Sequence, residues 1–397
     1  MAVGDVDARD TAAAPPWYPM SLVGRACDPS TFADGVPSPW GRLHGWDFTV
    51  ALSPEWWNTE PDGRWGDWPS KVSRVEVVNE TRFGLILHVD DAWVAHVHPF
   101  PTGLDVSTLT LFKPWQEALA SAPILLPVAG MKSDRGDQVA VFPMHEVLSV
   151  ESAAKRAHEA VQSAGRVHAA LVLHATPNTE RRWNDRLKSM EEGLKTTTLW
   201  RAPHTRHVVG LPATNPSLES MMERDGGLVV VPQPRALVDR LLAPAERRPG
   251  VWDVAMMEQR LSMMDLFAGA DARRAFYDAW GETVPSSWTS PSALSTVNGG
   301  AWIWRYEAIL TMLAEARAFG LEEQLKRCDR WLLDVSRIQA RLGELRTVHA
   351  ARRLGVVAAA AGVIFGSGPV QLPFVIGSVV VALTAHVVHQ RRTPPSF

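Results

Sequence analysis

Cysteine is almost absent from the chain: 397 residues contain Cys27 and Cys328 alone. They stand far apart, and neither belongs to a metal-spaced pair. That argues against a disulfide scaffold or a zinc ribbon and suits a reducing compartment. Tyrosine is scarce too, with 3 residues against 17 tryptophans, so tryptophan needs a core or recognition role at several places. The formal net charge of -3 gives no general pull toward nucleic acid, and none is expected as a partner. The N-terminus, MAVGDVDARDTAAAPP, is acidic and lacks an apolar run, so it does not read as a secretory signal. There is no nucleophile elbow, P-loop or dinucleotide glycine pattern. Finally, no charged residue occurs between Arg353 and Arg391.

What is present suffices for a folded chain with two or three cores. Apolar residues make up 46% and charged residues 21%, the balance of a globule rather than of a disordered chain. The expected fold class is α+β / α/β multidomain: a β-rich N-terminal part, an α/β layer in the middle, and a helical C-terminal part ending in a hydrophobic helical hairpin. Residues 1–16 read as a flexible leader. Residues 17–112 read as a Trp-rich β domain, where KVSRVEVV, FGLILHV, WVAHVHPF and STLTLF carry β-branched and aromatic residues in near-alternation. Residues 113–245 read as an α/β domain. There PILLPVA, QVAVFPM, VHAALVLHA, HVVGLPA and GLVVVPQ are strand candidates, with helical segments such as NPSLESMMER between them. Residues 251–353 are helical. In them Leu321, Leu325, Cys328, Leu332, Val335, Ile338, Leu342 and Leu345 recur at three- and four-residue steps and form one apolar stripe.

Residues 354–390 predict a membrane hairpin, followed by a tail at 391–397. Gly366-Ser-Gly-Pro369 interrupts the uncharged run, leaving arms at Leu354–Phe365 and Leu372–His389. Arg352 and Arg353 precede the first arm, and Arg391 and Arg392 follow the second. Positive charge marks the cytoplasmic side, so both ends are expected there, with the N-terminal bulk. The first arm spans only about 18 Å against a hydrocarbon core of roughly 30 Å. It therefore either extends back over His349–Arg353 with the arginines snorkelling, or dips in without crossing. The alternative is a Gly/Ala-rich helix pair buried in a soluble assembly.

Two histidine groups are candidates for chemistry. FGLILHVDDAWVAHVHPF reads as a β-hairpin. With a two-residue loop, Val89 pairs Ala92, and His96 and His98 fall on the face of Leu85 and Leu87, away from His88. A three-residue loop separates polar from apolar better: Val89 pairs Trp93, and Phe83, Leu85, Leu87, Val89, Trp93, Ala95 and Val97 make one apolar face. His88, His96 and His98 then share the other, where three imidazoles can hold a divalent transition metal. The alternative is three idle histidines on a solvated face. The second group lies at a predicted strand end: His174 with Thr176, Glu180 and Asp185, and His204 and His207 from the next loop. A histidine and carboxylates there suit acid–base catalysis, with His174, Glu180 and Asp185 as the catalytic residues. The alternative is a helix-cap or loop role.

Trp40, Trp46, Trp56, Trp57, Trp65 and Trp68 form either a recognition surface or the core of a loop-rich domain. Three functions follow. The first is a membrane-tethered cytosolic interaction or scaffold protein, an effector whose hairpin anchors in or perturbs the bilayer, with membrane lipid and another protein as partners. The second is a membrane-anchored hydrolase or metal-dependent enzyme using the strand-end histidines, with no cofactor beyond that metal. The third is a soluble homo-oligomer with the apolar tail as its core.

Overall fold

The structure is a computed structural model that describes residues 35–38, 41–82, 84–101, 113–177, 180–196, 209–235, 237–242, 247–267, 269–290, 293–294 and 301–392. Strands β1 (Val36–Ser38) and β2 (Gly41–Leu43) pair antiparallel. Helix α1 (Pro54–Asn58) follows a cap at Ser53, whose hydroxyl accepts from the Trp56 N–H, with proline in the first helical position.

The alternating segments then build a six-stranded antiparallel sheet. Its strands are β3 (Arg64–Gly66), β4 (Val75–Thr81), β5 (Gly84–Val89), β6 (Trp93–Val97), β7 (Ala129–Ser133) and β8 (Gly136–Pro143). They lie in the order β3-β7-β8-β6-β5-β4. In the β5–β6 hairpin Val89 pairs Trp93 and His88 pairs Val94, the register expected from a three-residue loop. Leu85, Leu87, Val89, Ala95 and Val97 all enter the main core. Phe83 lies outside the described residues. Gly84 has φ +137°, and a Cβ there would sit 2.2 Å from the Val97 carbonyl oxygen. Only glycine allows this tight approach, and it sets the β4–β5 turn, with Arg82, against the helical lobe.

Helix α2 (Lys113–Leu119) connects β6 to β7. Helices α3 (Val150–Lys155) and α4 (Ala157–Ala170) then open the helical part. Here two expected elements change type. VHAALVLHA is not a strand: residues 167–170 end α4, and Val172–His174 is a 3-10 turn. Over the longer span Ala160, Val161, Ala164, Val167 and His168 are buried at helical spacing, a period that a nine-residue window is too short to show. NPSLESMMER, expected as a helix, is a 3-10 turn followed by a strand that pairs with GLVV. In that strand Met221 and Met222 are buried, and Glu223 and Arg224, next to the turn, are exposed.

Strands β9 (Thr176–Pro177) and β10 (Val209–Gly210) pair antiparallel, as do β11 (Met221–Arg224) and β12 (Gly227–Val230). Helix α5 (Glu180–Leu194) lies between the first two, and α6 (Leu237–Leu242) follows the last.

The helical lobe continues with α7 (Gly250–Met263), α8 (Ala270–Gly281), α9 (Ser286–Thr289) and α10 (Trp302–Phe319). Helix α10 is buried on nearly every side, which explains its lack of a polar face. It stops at Gly320, φ +67°. Helix α11 runs unbroken from Glu322 to Phe365. Cys328, Leu332, Val335, Leu342 and Leu345 of its stripe are buried, and Leu325 and Ile338 pack on the core. The stripe thus packs within the chain. After a turn at Gly366-Ser-Gly-Pro369, α12 (Gln371–Arg392) returns antiparallel.

The fold class is as expected: a sheet-rich N-terminal part and a helical C-terminal part ending in two apolar helices. Both are long and apolar enough to cross a membrane, and only 11% and 17% of their most apolar windows is buried. A Cβ at Gly355 would lie 2.9 Å from Ser378 O and Ala382 N; one at Gly362 would lie 2.7 Å from Val375 Cγ2. The small residues set how closely the arms pack.

Candidate functional site

The histidines of the β5–β6 hairpin share a face, but that face is not solvated. His96 and His98 are 3% and 2% exposed, and His88 is half-buried. The cover is a second small core of Leu125, Ala140, Phe142, Met222 and Val231. The His96 ring packs on Phe142 at 4.8 Å and on His145 at 6.2 Å. Burial first, then His145 and His98 beside it, hold His96 well below the usual imidazole range, so it stays neutral. Among the described residues no group of three or more His, Cys, Asp or Glu is arranged to hold a metal.

His174 ends a 3-10 turn rather than a strand. Its ring meets Trp115 edge-on at 6.5 Å, and its carbonyl accepts from Arg247. Thr176 Oγ1 donates to Gly210 O at 3.5 Å. Asp185 is exposed on α5, and no described hydrogen bond joins it to His174. His204, His207 and the side chain of Glu180 lie outside the described residues.

A different histidine is built into the helical lobe. His168 is 1% exposed. Trp280 Nε1–H donates to its Nδ1 at 3.1 Å, and its Nε2 lies 3.0 Å from Asp253 Oδ2. Since Nδ1 accepts, Nε2 carries the proton and donates to the carboxylate. This triplet ties α4, α7 and α8 together.

The junction of the two lobes is filled with charge. Arg82, at the sheet tip, donates from Nε to Glu219 at 2.6 Å and from Nη1 to Glu315 at 2.5 Å. Arg260 also reaches Glu315. Beneath them Asp239 accepts from Arg186 at 3.1 Å, from Arg235 at 3.0 Å and from Arg248. Arg186 further donates to Glu307 at 2.6 Å. Burial pushes the Asp239 carboxyl up, but Arg235, Arg248 and Arg186 together overcome it and hold it far below the carboxylate range. Burial and the neighbouring Arg235 depress Arg248 to about 10. The space left here is only about 40 Å³.

A roomier cavity lies elsewhere. A cleft of about 730 Å³ opens between α7, α10 and α11. Its wall presents Arg273, Arg305, Arg337 and Arg341 with Trp302 and Trp331. Behind two of these arginines the carboxylate of Glu258, 0% exposed, accepts from Arg305 Nε at 2.7 Å, Arg273 Nη1 at 2.8 Å and the Tyr277 hydroxyl at 2.8 Å. The Arg305 guanidinium also stacks 4.9 Å from the Trp302 ring. One carboxylate therefore fixes two guanidiniums in place, in a cleft of small-molecule size.

The tryptophans of the β part are packed inward. Trp57 is buried, stacks on Trp68 at 5.0 Å and meets Trp56 edge-on at 5.1 Å. Trp46, Trp57 and Trp68 each donate their indole N–H to a backbone carbonyl. Trp65 is half-buried, and Trp40 lies outside the described residues.

No family model and no curated protein matches the sequence. Solved structures do align. A glucosamine kinase in complex with glucosamine, ADP and inorganic phosphate is 14% identical, over 74% of this chain and 84% of that one, with a TM-score of 0.43. The GDP complex of wild-type aminoglycoside 2'-phosphotransferase-IIIa is 11% identical, over 67% and 93%, with a TM-score of 0.40. Choline kinase from Cryptosporidium parvum Iowa II is 7% identical, over 75% and 95%, with a TM-score of 0.38. Likeness at this level assigns no activity to this chain. The expectation of an interaction scaffold is corrected on the geometry of this chain itself. Trp46, Trp56, Trp57 and Trp68 pack inward on the core rather than forming a recognition surface, and a cleft of ligand size opens in the helical lobe.

Proposed function

We propose that the protein is a bilayer-anchored, small-molecule-binding head held at the cytoplasmic face of a membrane. The observation that carries the anchor is the hairpin of α11 and α12, whose arms pack on each other and leave their outer faces bare. Leu354, Val357, Ile364, Phe365, Leu372 and Phe374 are each more than half exposed. Burying such side chains is worth about 1.5–3 kcal/mol apiece, and a bilayer supplies that burial where the described residues of the chain do not.

The depth of the hairpin supports a full crossing. Arg352 lies level with His386, Nη1 to Nδ1 3.4 Å, and the His349 and His389 rings face each other at 5.6 Å. From Phe365 back to Arg352 is about 20 Å of helix, and back to Arg346 about 29 Å. If the turn stopped inside the bilayer, its exposed backbone groups would each cost several kcal/mol. If the turn reaches the far side, Arg346 lies at the cytoplasmic edge and Arg352 and Arg353 lie about 10 Å inside it, within reach of snorkelling at a cost below the roughly 2.5–3.5 kcal/mol of the bilayer centre. The crossing is the cheaper arrangement, and it leaves the arginines of both ends inside.

The small-molecule reading of the head rests on the cleft between α7, α10 and α11. The topology is tested with Ser367→Cys in a Cys27→Ser background, probed in intact cells with a membrane-impermeant maleimide. Labelling from outside is expected. Labelling only after permeabilisation would mean that the hairpin dips in and returns.

A further inference from the structure

We infer that the cleft between α7, α10 and α11 binds an anionic, phosphate-bearing ligand that also carries an apolar or ring portion. This rests on the small-molecule reading of the head and names the ligand class. The wall offers four guanidiniums: Arg273 and Arg305 share the buried Glu258 carboxylate, while Arg337 and Arg341 pair with the exposed Asp334 and Glu344. Guanidinium is the group best matched to phosphate oxygens, because its planar fork donates two parallel hydrogen bonds. The four are not equivalent. Arg305 is 1% exposed and clamped by Glu258 and the Trp302 face, so it is pre-aimed. Arg337 and Arg341 stand one helical turn apart on α11, with side chains 79% and 43% exposed. Their partners, Asp334 and Glu344, are exposed i,i+3 pairings of the kind that give way easily. Trp302 and Trp331, both half-buried, supply the ring-stacking surface.

The position of the cleft admits two sources. Arg341 precedes Arg346 on the same unbroken helix by about 8 Å. If Arg346 marks the inner edge of the hydrocarbon, the open side of the cleft lies at the depth of the lipid headgroups. A soluble phosphorylated ring compound and the headgroup of an anionic lipid therefore present the same chemistry to the same residues.

The test uses the full chain in nanodiscs. For the soluble source, ADP and inorganic pyrophosphate are titrated by calorimetry in phosphatidylcholine discs. For the lipid source, chains are purified through detergent exchange from phosphatidylcholine containing phosphatidylglycerol, and the lipid retained per chain is counted. We expect either ADP to bind more tightly than pyrophosphate, or phosphatidylglycerol to be retained in preference to phosphatidylcholine. In the arm that binds, Arg337→Gln with Arg341→Gln should weaken binding 10-fold or more, and Trp331→Ala should weaken ADP or lipid while leaving pyrophosphate unchanged. The arginine pair is on the surface, so a normal thermal midpoint for that variant separates lost binding from lost folding. The inference is overturned if neither probe binds below about 1 mM and no anionic lipid is retained, or if the arginine variant binds like the parent. Failure of the anchor reading would appear separately, as loss of the chain from carbonate-washed membranes with cleft binding intact.

Discussion

Removing the Glu258 carboxylate should cost the helical lobe a large part of its stability. The side chain is 0% exposed and accepts from Arg305 Nε, Arg273 Nη1 and the Tyr277 hydroxyl at 2.7–2.8 Å. Arg305 and Tyr277 are each 1% exposed. Glu258→Ala therefore leaves a guanidinium in the core with its counter-charge gone. Deleting one member of a buried ion pair costs about 3–5 kcal/mol, because the survivor keeps its desolvation penalty. Native domains hold only about 5–15 kcal/mol in reserve. At about 2–4 °C per kcal/mol, the thermal midpoint should fall on the order of 10 °C, compared at one scan rate for the full chain in detergent. Glu258→Gln keeps the shape and one acceptor oxygen, and should fall less. The double change Glu258→Leu with Arg305→Met removes both charges and should recover most of the loss. The reasoning is refuted if Glu258→Ala shifts the midpoint by less than about 2 °C, or if the double variant is no better than the single one.

Three further outcomes follow from the same structure. Asp239 has its carboxyl held low by three arginines, so its contribution is full above the unfolded carboxyl value of about 3.9 and fades as pH falls below it. The midpoint of the parent should drop between pH 5 and 3, while Asp239→Asn should start lower and change less; parallel curves would contradict this. Burial, chiefly, pushes the Cys328 thiol up to about 12. In a Cys27→Ser chain, iodoacetamide at pH 8 should leave it unmodified until denaturant is added, and labelling of the folded chain at a free-thiol rate would show the stripe to be open. Gly355→Leu should push α11 and α12 apart, because even a Cβ there lies 2.9 Å from Ser378 O. Oxidative crosslinking of Gly362→Cys with Val375→Cys should then fall, and unchanged crosslinking would mean that the arms do not pack at Gly355.

What could be read from the sequence was whatever a single element decides. The β5–β6 register followed from one residue of slip exchanging a clean apolar face for a mixed one. The α11 stripe and the hairpin with its Gly-Ser-Gly-Pro turn were legible for the same reason. Properties decided between elements were not. The face bearing His96 and His98 read as solvated because nothing local announces that Met222 and Val231 cover it. Residues 167–170 read as strand because their helical period needs the preceding turn. The cleft was missed because its arginines come from α8, α10 and α11, far apart in the chain. Two local signals did point toward it. WIWRYEAILTMLAEARAF places Arg305 inside an otherwise apolar helix, which demands a buried partner; Glu307 and Glu315 of the same helix answer to the charged junction instead. Arg337 and Arg341 make an i,i+4 basic pair on the helix that leads to the membrane.

The measurement that bears most directly on the account is extraction of the full chain from membranes with high salt and then alkaline carbonate. The account predicts that the chain stays in the pellet through both washes and is released only by detergent, because the exposed faces of α11 and α12 sit in hydrocarbon. Release into the supernatant by carbonate as a discrete, folded oligomer would contradict it, since those faces would then be covered by other copies of the chain.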